Sequence, residues 1–100
     1  MCGINGILNF DESQVSKEDL IKMNDQMIFR GPDSDGFYFD NNFGMSMRRL
    51  SIIDIDNGDQ PISSIDSRYH VVMNGEIYNF IELRKDLIKK GHRFETNSDT

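Results

Sequence analysis

Cysteine is the second residue of this chain, and that position gives it a chemistry that a cysteine elsewhere would lack. A small residue after the initiator methionine usually permits removal of Met1, which leaves Cys2 carrying both a thiol and a free α-amine. Such an amine has a reference pKa of about 7.7–8.0, so near neutrality part of it is unprotonated and can relay the thiol proton. Nucleophilic attack on a carbonyl then needs no separate histidine. Taken alone, an early cysteine is more often a small buried hydrophobe than a nucleophile. A single cysteine excludes an internal disulfide, and His70 and His92 beside it make no spaced set for structural zinc. Neither histidine has a motif supporting a cysteine–histidine protease, so both read as ordinary surface or strand residues.

Other residues that could do chemistry each have a plainer reading. Asn74-Gly75-Glu76 offers an amide side chain, an unhindered backbone N–H and a carboxylate in succession, although Asn-Gly by itself signals a hairpin turn. Here a helix start follows it instead of a second strand. Arg49 has the planar guanidinium that holds a carboxylate by two parallel bonds, but its default is a strand residue pointing to solvent. Asp99 by default is a loop or cap residue. Arg30-Gly31-Pro32-Asp33 reads as a turn that positions neighbouring loops, its Asp33 open to a capping role.

The elements that must position these residues are legible in outline. Ile4 to Phe10 alternates, with Ile4, Gly6, Leu8 and Phe10 on one side and Gly3, Asn5, Ile7 and Asn9 on the other, which predicts a strand. Ser16 and Asp19 form a capping box, with Val15 and Leu20 as its hydrophobic staple. The helix they start is expected from about Lys17 to Phe29, with Leu20, Met23 and Met27 as its stripe. Pro32 ends it. Strands are expected over Phe37 to Asp40 and Phe43 to Ile53, joined by Asn41-Asn42, residues that tolerate left-handed angles. A loop over Asp54 to Ser67, with an Asn57-Gly58 turn, leads to a β-favouring run from Tyr69 to Met73. A second helix is expected over about Phe80 to Lys90, with Asn79 as cap, Glu82 three residues on, Tyr78 and Leu83 as staple, Gly91 as stop, and Phe80, Leu83 and Leu87 facing inward. This order does not alternate as a parallel βαβ chain would, so the fold class is α+β with antiparallel pairing.

At 100 residues there is room for one modest core and no second domain. Hydrophobic residues at 37% and charged residues at 28% suit a globular protein better than a disordered one. A net charge of −6 without a basic run argues against nucleic acid and anionic lipid as partners. No apolar stretch approaches the roughly 18 residues of a membrane span, and the N-terminus lacks a signal-peptide layout, so the expected compartment is the cytoplasm. The ending Thr96-Asn97-Ser98-Asp99-Thr100 carries neither helix stop nor apolar closure, and a fragment of a longer chain is expected. No repeat, low-complexity segment or interdomain linker interrupts the sequence.

Six segments change the weight of these readings because they occur together and in order. They are Met1-Cys2-Gly3-Ile4-Asn5-Gly6, Arg30-Gly31-Pro32-Asp33, Arg49-Leu50-Ser51-Ile52-Ile53-Asp54, Gly58-Asp59-Gln60-Pro61, Asn74-Gly75-Glu76-Ile77-Tyr78-Asn79 and Thr96-Asn97-Ser98-Asp99. This array closely resembles the glutaminase domain of asparagine synthetases, class II glutamine amidotransferases with an N-terminal nucleophile. The resemblance covers essentially the whole chain and breaks off where the family's domain continues. Met47 departs from it, since many relatives carry histidine there; no expected catalytic role depends on that position.

The resemblance implies a four-layer αββα sandwich of two antiparallel sheets, incomplete in this chain, with residues 1–100 as the N-terminal part of the domain and an ATP-dependent synthetase domain outside it. It implies that Cys2 attacks the side-chain amide of glutamine to form a thioester and release ammonia, with Asn74 and Gly75 stabilising the oxyanion. Arg49 is then expected to hold the substrate carboxylate and Asp99 its ammonium, with Glu76 on the same side and Leu50 and Ile52 lining the pocket. No cofactor is expected for this step, whereas ATP and Mg2+ belong to the synthetase domain. Expected partners are glutamine and that domain, a homodimer being compatible. Two alternatives stay open: an amidotransferase feeding an amino-sugar or polysaccharide precursor, and a non-catalytic glutamine-binding fragment.

Overall fold

A computed structural model describes residues 2–100; the expected loss of Met1 falls outside the described residues. The chain runs β1 (Gly3–Leu8), α1 (Lys17–Asp25), β2 (Ser34–Asp40), β3 (Phe43–Arg49), β4 (Ile62–Ser63), β5 (His70–Val71) and α2 (Phe80–Lys89). The described residues thus form an α+β arrangement with two antiparallel sheets and two helices, one sheet ordered β1-β3-β2 and the other pairing β4 with β5. The hairpin at Asn41-Asn42 is present, with Asn41 at φ 44°, and its register sets Asp40 opposite Phe43.

Helix α1 begins where its local chemistry predicts. The Ser16 hydroxyl accepts the Asp19 N–H at 3.2 Å, and Val15 and Leu20 are both buried against Gly44 of β3. Its end comes earlier than expected: α1 stops at Asp25, and residues 26–30 continue as tighter turns in which Met27 N–H reaches Asn24 O and Arg30 N–H reaches Met27 O. The buried stripe is also different. Asn24 takes the place assigned to Met23, because its side chain meets Asn5 of β1, and Asn5 in turn reaches Ser46 of β3. Met27 then packs over Gly3. The face of β1 under the helix is therefore Gly3, Asn5 and Ile7, while Ile4 and Leu8 lie half-exposed on the other face. Phe10 lies beyond the strand and is exposed.

Strand β3 ends at Arg49, four residues short of the expected Ile53, and β2 starts earlier, pairing Ser34 with Arg49. The cause is a competing set of bonds. Asp33 N–H donates to Arg49 O at 3.0 Å, and its carboxylate accepts Ser51 N–H at 2.7 Å, which turns the chain out of the sheet. The Arg30–Asp33 turn thus has its expected architectural role, and Arg48 Nε fastens it by donating to Gly31 O at 2.9 Å.

On the sheet face opposite α1, Met45 and Met47 are buried, and Tyr38 stacks on His70 with ring centroids 3.7 Å apart. The segment read as a loop contains β4, which pairs Ile62 with Val71 and Ser63 with His70, and of the Tyr69–Met73 run only His70 and Val71 are strand. Helix α2 matches its expected span, but Asn79 makes no side-chain cap bond and Tyr78 is exposed, so the expected box and staple do not form. No residue of α2 is buried, and Leu83 does not face a core. Its end follows expectation: Gly91 at φ 93° lets His92 N–H reach Leu87 O and Gly91 N–H reach Ile88 O, a Schellman closure.

Candidate active site

Because β1 pairs antiparallel with β3 from Gly3 opposite Arg48, the residue before Gly3 is brought level with Arg49, the last residue of β3. That brings the Cys2 sulfur to the Leu50 backbone: Leu50 N–H donates to Sγ at 3.3 Å, and Sγ lies 3.7 Å from Leu50 O. Arg30 Nε donates to the Cys2 carbonyl at 3.4 Å. An N–H aimed at sulfur complements negative charge there. Cys2 is half-buried and opens onto a cavity of about 290 Å³.

Arg49 ends β3 on the wall of the same cavity and is buried, not solvent-facing as its strand default predicted. Its guanidinium organises the loop that follows. Nη2 donates to Ile53 O at 2.8 Å and Asp54 O at 2.7 Å, while Nη1 donates to Ile55 O at 3.2 Å and the Asp59 carboxylate at 3.1 Å. Two donors on each Nη are thereby used, and among the described residues Nε has no acceptor. Gly58 makes the wrap possible, since a Cβ there would lie 2.5 Å from Nη2. Leu50 and Ile52 of this loop line the cavity, as expected for them.

The run after β5 brings Asn74, Gly75 and Glu76 to the opposite wall. All three are exposed, and among the described residues neither the Asn74 amide nor the Gly75 N–H has a protein partner. Two unengaged donors in sequence, facing the cavity of the thiol, are what a developing oxyanion requires. Asp99 closes the third side, one carboxylate oxygen accepting Ile77 N–H at 2.8 Å and thereby tying the last segment to the entrance of α2. Asp54 helps to hold that segment, its carboxylate accepting Asn97 N–H at 2.6 Å. All eight residues singled out from the sequence therefore line one cavity, together with Gln60, Met73, Ser98, Thr100 and Ile53, to which sequence reasoning gave no role. Gln60, Ile53 and Ser98 had a signal, their places in three of the six ordered segments; Met73 and Thr100 had none beyond adjacency. Among the described residues no cluster of three or more His, Cys, Asp or Glu could hold a metal ion.

Comparison with known proteins identifies the family. A family model described as a glutamine amidotransferase domain matches residues 1–100. The chain is 50% identical over 103 residues to asparagine synthetase (glutamine-hydrolyzing) 1 of Bacillus subtilis (strain 168), covering 100% of this chain and 16% of that protein. It is 43% identical to asparagine synthetase (glutamine-hydrolyzing) of Brassica oleracea, covering 99% of this chain and 17% of that one. A second Bacillus subtilis enzyme, asparagine synthetase (glutamine-hydrolyzing) 2, is 42% identical over 99% of this chain and 13% of its own length. The chain thus spans about a sixth of the length of these curated relatives. With the family model matched from end to end and half of the residues shared with a relative of that description, the chain belongs to the glutamine amidotransferase domain family.

Proposed function

We propose that this chain is the N-terminal part of a glutaminase domain that supplies ammonia to an ATP-dependent asparagine synthetase domain in the same, longer protein. The observation that carries the reading is the convergence of Cys2, Arg49, Asn74, Gly75 and Asp99, drawn from both ends of the chain, on one cavity. Its volume of about 290 Å³ sits at the small end of the roughly 300–1,000 Å³ usual for ligand pockets, which suits a free amino acid.

In this reading Met1 is removed and the Cys2 amine takes the thiol proton as Sγ adds to the side-chain amide carbon of glutamine. The carbonyl oxygen becomes an oxyanion, met by the Asn74 amide and the Gly75 N–H. Collapse breaks the carbon–nitrogen bond, the nitrogen leaves as ammonia with the proton returned from the terminal amine, and a thioester remains. Water then adds to the thioester, releasing glutamate and the thiol. Asp99, with Glu76 beside it, faces the substrate ammonium, and Arg49 takes the carboxylate on its Nε edge. The glutaminase step uses no cofactor; ATP and Mg2+ serve the synthetase domain. The remaining strands of an αββα sandwich lie outside these residues, and the setting is cytoplasmic.

The test uses the full-length protein. Intact mass should show Met1 absent, and 6-diazo-5-oxo-norleucine, a reactive glutamine analogue, should label Cys2. Cys2→Ala should abolish glutamine hydrolysis and spare asparagine synthesis from added ammonia. Retention of Met1 with full glutaminase activity would defeat the proposal.

A further inference from the structure

Gln60 is a polar side chain inside the cavity wall that the proposed reaction leaves without a task. It is 8% exposed, and both ends of its amide are satisfied. Oε1 accepts Met73 N–H at 2.6 Å, 13 positions along the chain, and Nε2 donates to Thr100 Oγ at 2.9 Å, 40 positions along. Met73 directly precedes Asn74-Gly75, and Thr100 directly follows Asp99. The Thr100 hydroxyl is held in turn by Ser98 Oγ at 3.3 Å, and Ser98 Oγ accepts Thr100 N–H at 3.2 Å.

The backbone of Gln60 is itself anchored to the first sheet. Gly36 of β2 lies so close to it that a Cβ there would overlap the Gln60 carbonyl, and neighbouring Asp59 joins Ser34 of β2, at 3.0 Å, to the Arg49 guanidinium. A buried amide costs free energy unless it is paired, and an apolar residue would fill the same volume without directing its neighbours. A glutamine at this place does something that a leucine cannot: it bonds through one side chain to two segments far apart in sequence, beside the direct Ile77–Asp99 bond between them.

We propose that Gln60 is a positioning residue that sets the oxyanion donors of Asn74-Gly75 and the ammonium-binding carboxylate of Asp99 in register with each other. Resting on the proposed function, this assigns Gln60 no contact with the reacting atoms. Its acceptor end governs the transition-state donors and so kcat, whereas its donor end governs substrate recognition and so KM.

Three variants of the full-length protein test it. Gln60→Leu removes both bonds and should lower glutamine kcat/KM about 100-fold, the scale of a 1 Å misplacement, while iodoacetamide still alkylates Cys2 and ammonia-dependent synthesis continues. Gln60→Glu keeps the acceptor for Met73 N–H but loses the donor to Thr100 Oγ, so kcat should stay within about threefold of the parent while KM rises. Thr100→Val cuts the donor end alone and should raise KM about tenfold with a smaller change in kcat. Equal losses of kcat in Gln60→Leu and Gln60→Glu, or activity of Gln60→Leu within threefold of the parent, would overturn the assignment. If Gln60→Leu does not fold, the other two variants decide: both should raise KM with kcat within about threefold of the parent, and a fall in kcat as large as the rise in KM in both would overturn the assignment. A parent protein that neither hydrolyses glutamine nor reacts with the glutamine analogue overturns the underlying function as well, an outcome distinct from an active parent with an indifferent Gln60.

Discussion

At the scale of single residues, the site turns on donors and acceptors being left free or being used. The Asn74 amide and Gly75 N–H have no protein partners among the described residues, so Asn74→Ala removes a donor without disturbing a visible bond. Its expected effect on the full-length enzyme is a fall in glutamine kcat of about 10²–10³, read in a steady-state glutaminase assay beside an unchanged ammonia-dependent rate. Arg49 is the opposite case, because its Nη donors already hold the loop to Asp59. Gly58→Ala places a methyl 2.5 Å from Nη2 and 2.9 Å from Asp54 O, so the guanidinium must shift. A rise in glutamine KM of about tenfold, equal to about 1.4 kcal/mol of binding, is expected with Cys2 alkylation unaltered; an unchanged KM would remove Arg49 from the recognition of substrate. The sequence could nominate Arg49, but not its burial, because three of its four acceptors, Asp54, Ile55 and Asp59, come from a segment that read as a loop, and the fourth, Ile53, from one that read as strand.

At the scale of elements, what was legible was whatever depended on neighbours in sequence. The start of α1 followed from Ser16 and Asp19, and the close of α2 from Gly91, both local bond patterns. Asn79 occupies the same kind of position but makes no cap bond. Ser16→Ala should therefore destabilise by about 1 kcal/mol, whereas Asn79→Ala should change stability by less than about 0.5 kcal/mol; thermal melting of the two variants of the longer protein side by side checks the contrast. The end of α1 and the end of β3 were not legible, since Asn24 pairs with distant Asn5 and Asp33 with Ser51. The turn joining β4 to β5 has a pH dependence of known sign. The Ser64 hydroxyl first, then the Arg68 N–H and guanidinium, hold the Asp66 carboxyl below the ordinary carboxylate value. A pKa lower in the folded state means that this stabilisation is present above the unfolded value and lost as pH falls through the folded one. An NMR titration of the Asp66 carboxyl should find its midpoint below that of an unpaired aspartate, with the turn loosening only in acid.

At the scale of the whole molecule, the balance of buried and exposed apolar surface is unusual for a chain of 100 residues. Val15, Leu20, Met45 and Met47 are the apolar side chains that lie fully inside, while Ile4 and Leu8 on β1 and Ile81, Leu83 and Ile88 on α2 remain open. Helix α2 has an apolar stripe in sequence and nothing buried in space. The α2 stripe and the outer face of β1 thus stay open among the described residues, in a chain whose relatives are about six times as long. The inward face predicted for Phe80, Leu83 and Leu87 is accordingly not buried by these residues alone: an amphipathic pattern calls for a packing partner without saying where it comes from. The 100-residue chain expressed alone should bind a dye such as ANS strongly and melt without a cooperative transition, whereas the longer protein should bind little dye and melt sharply. A cooperative transition and weak dye binding by the isolated chain would mean that its own two sheets suffice, and that the open face of α2 serves something other than the completion of a core.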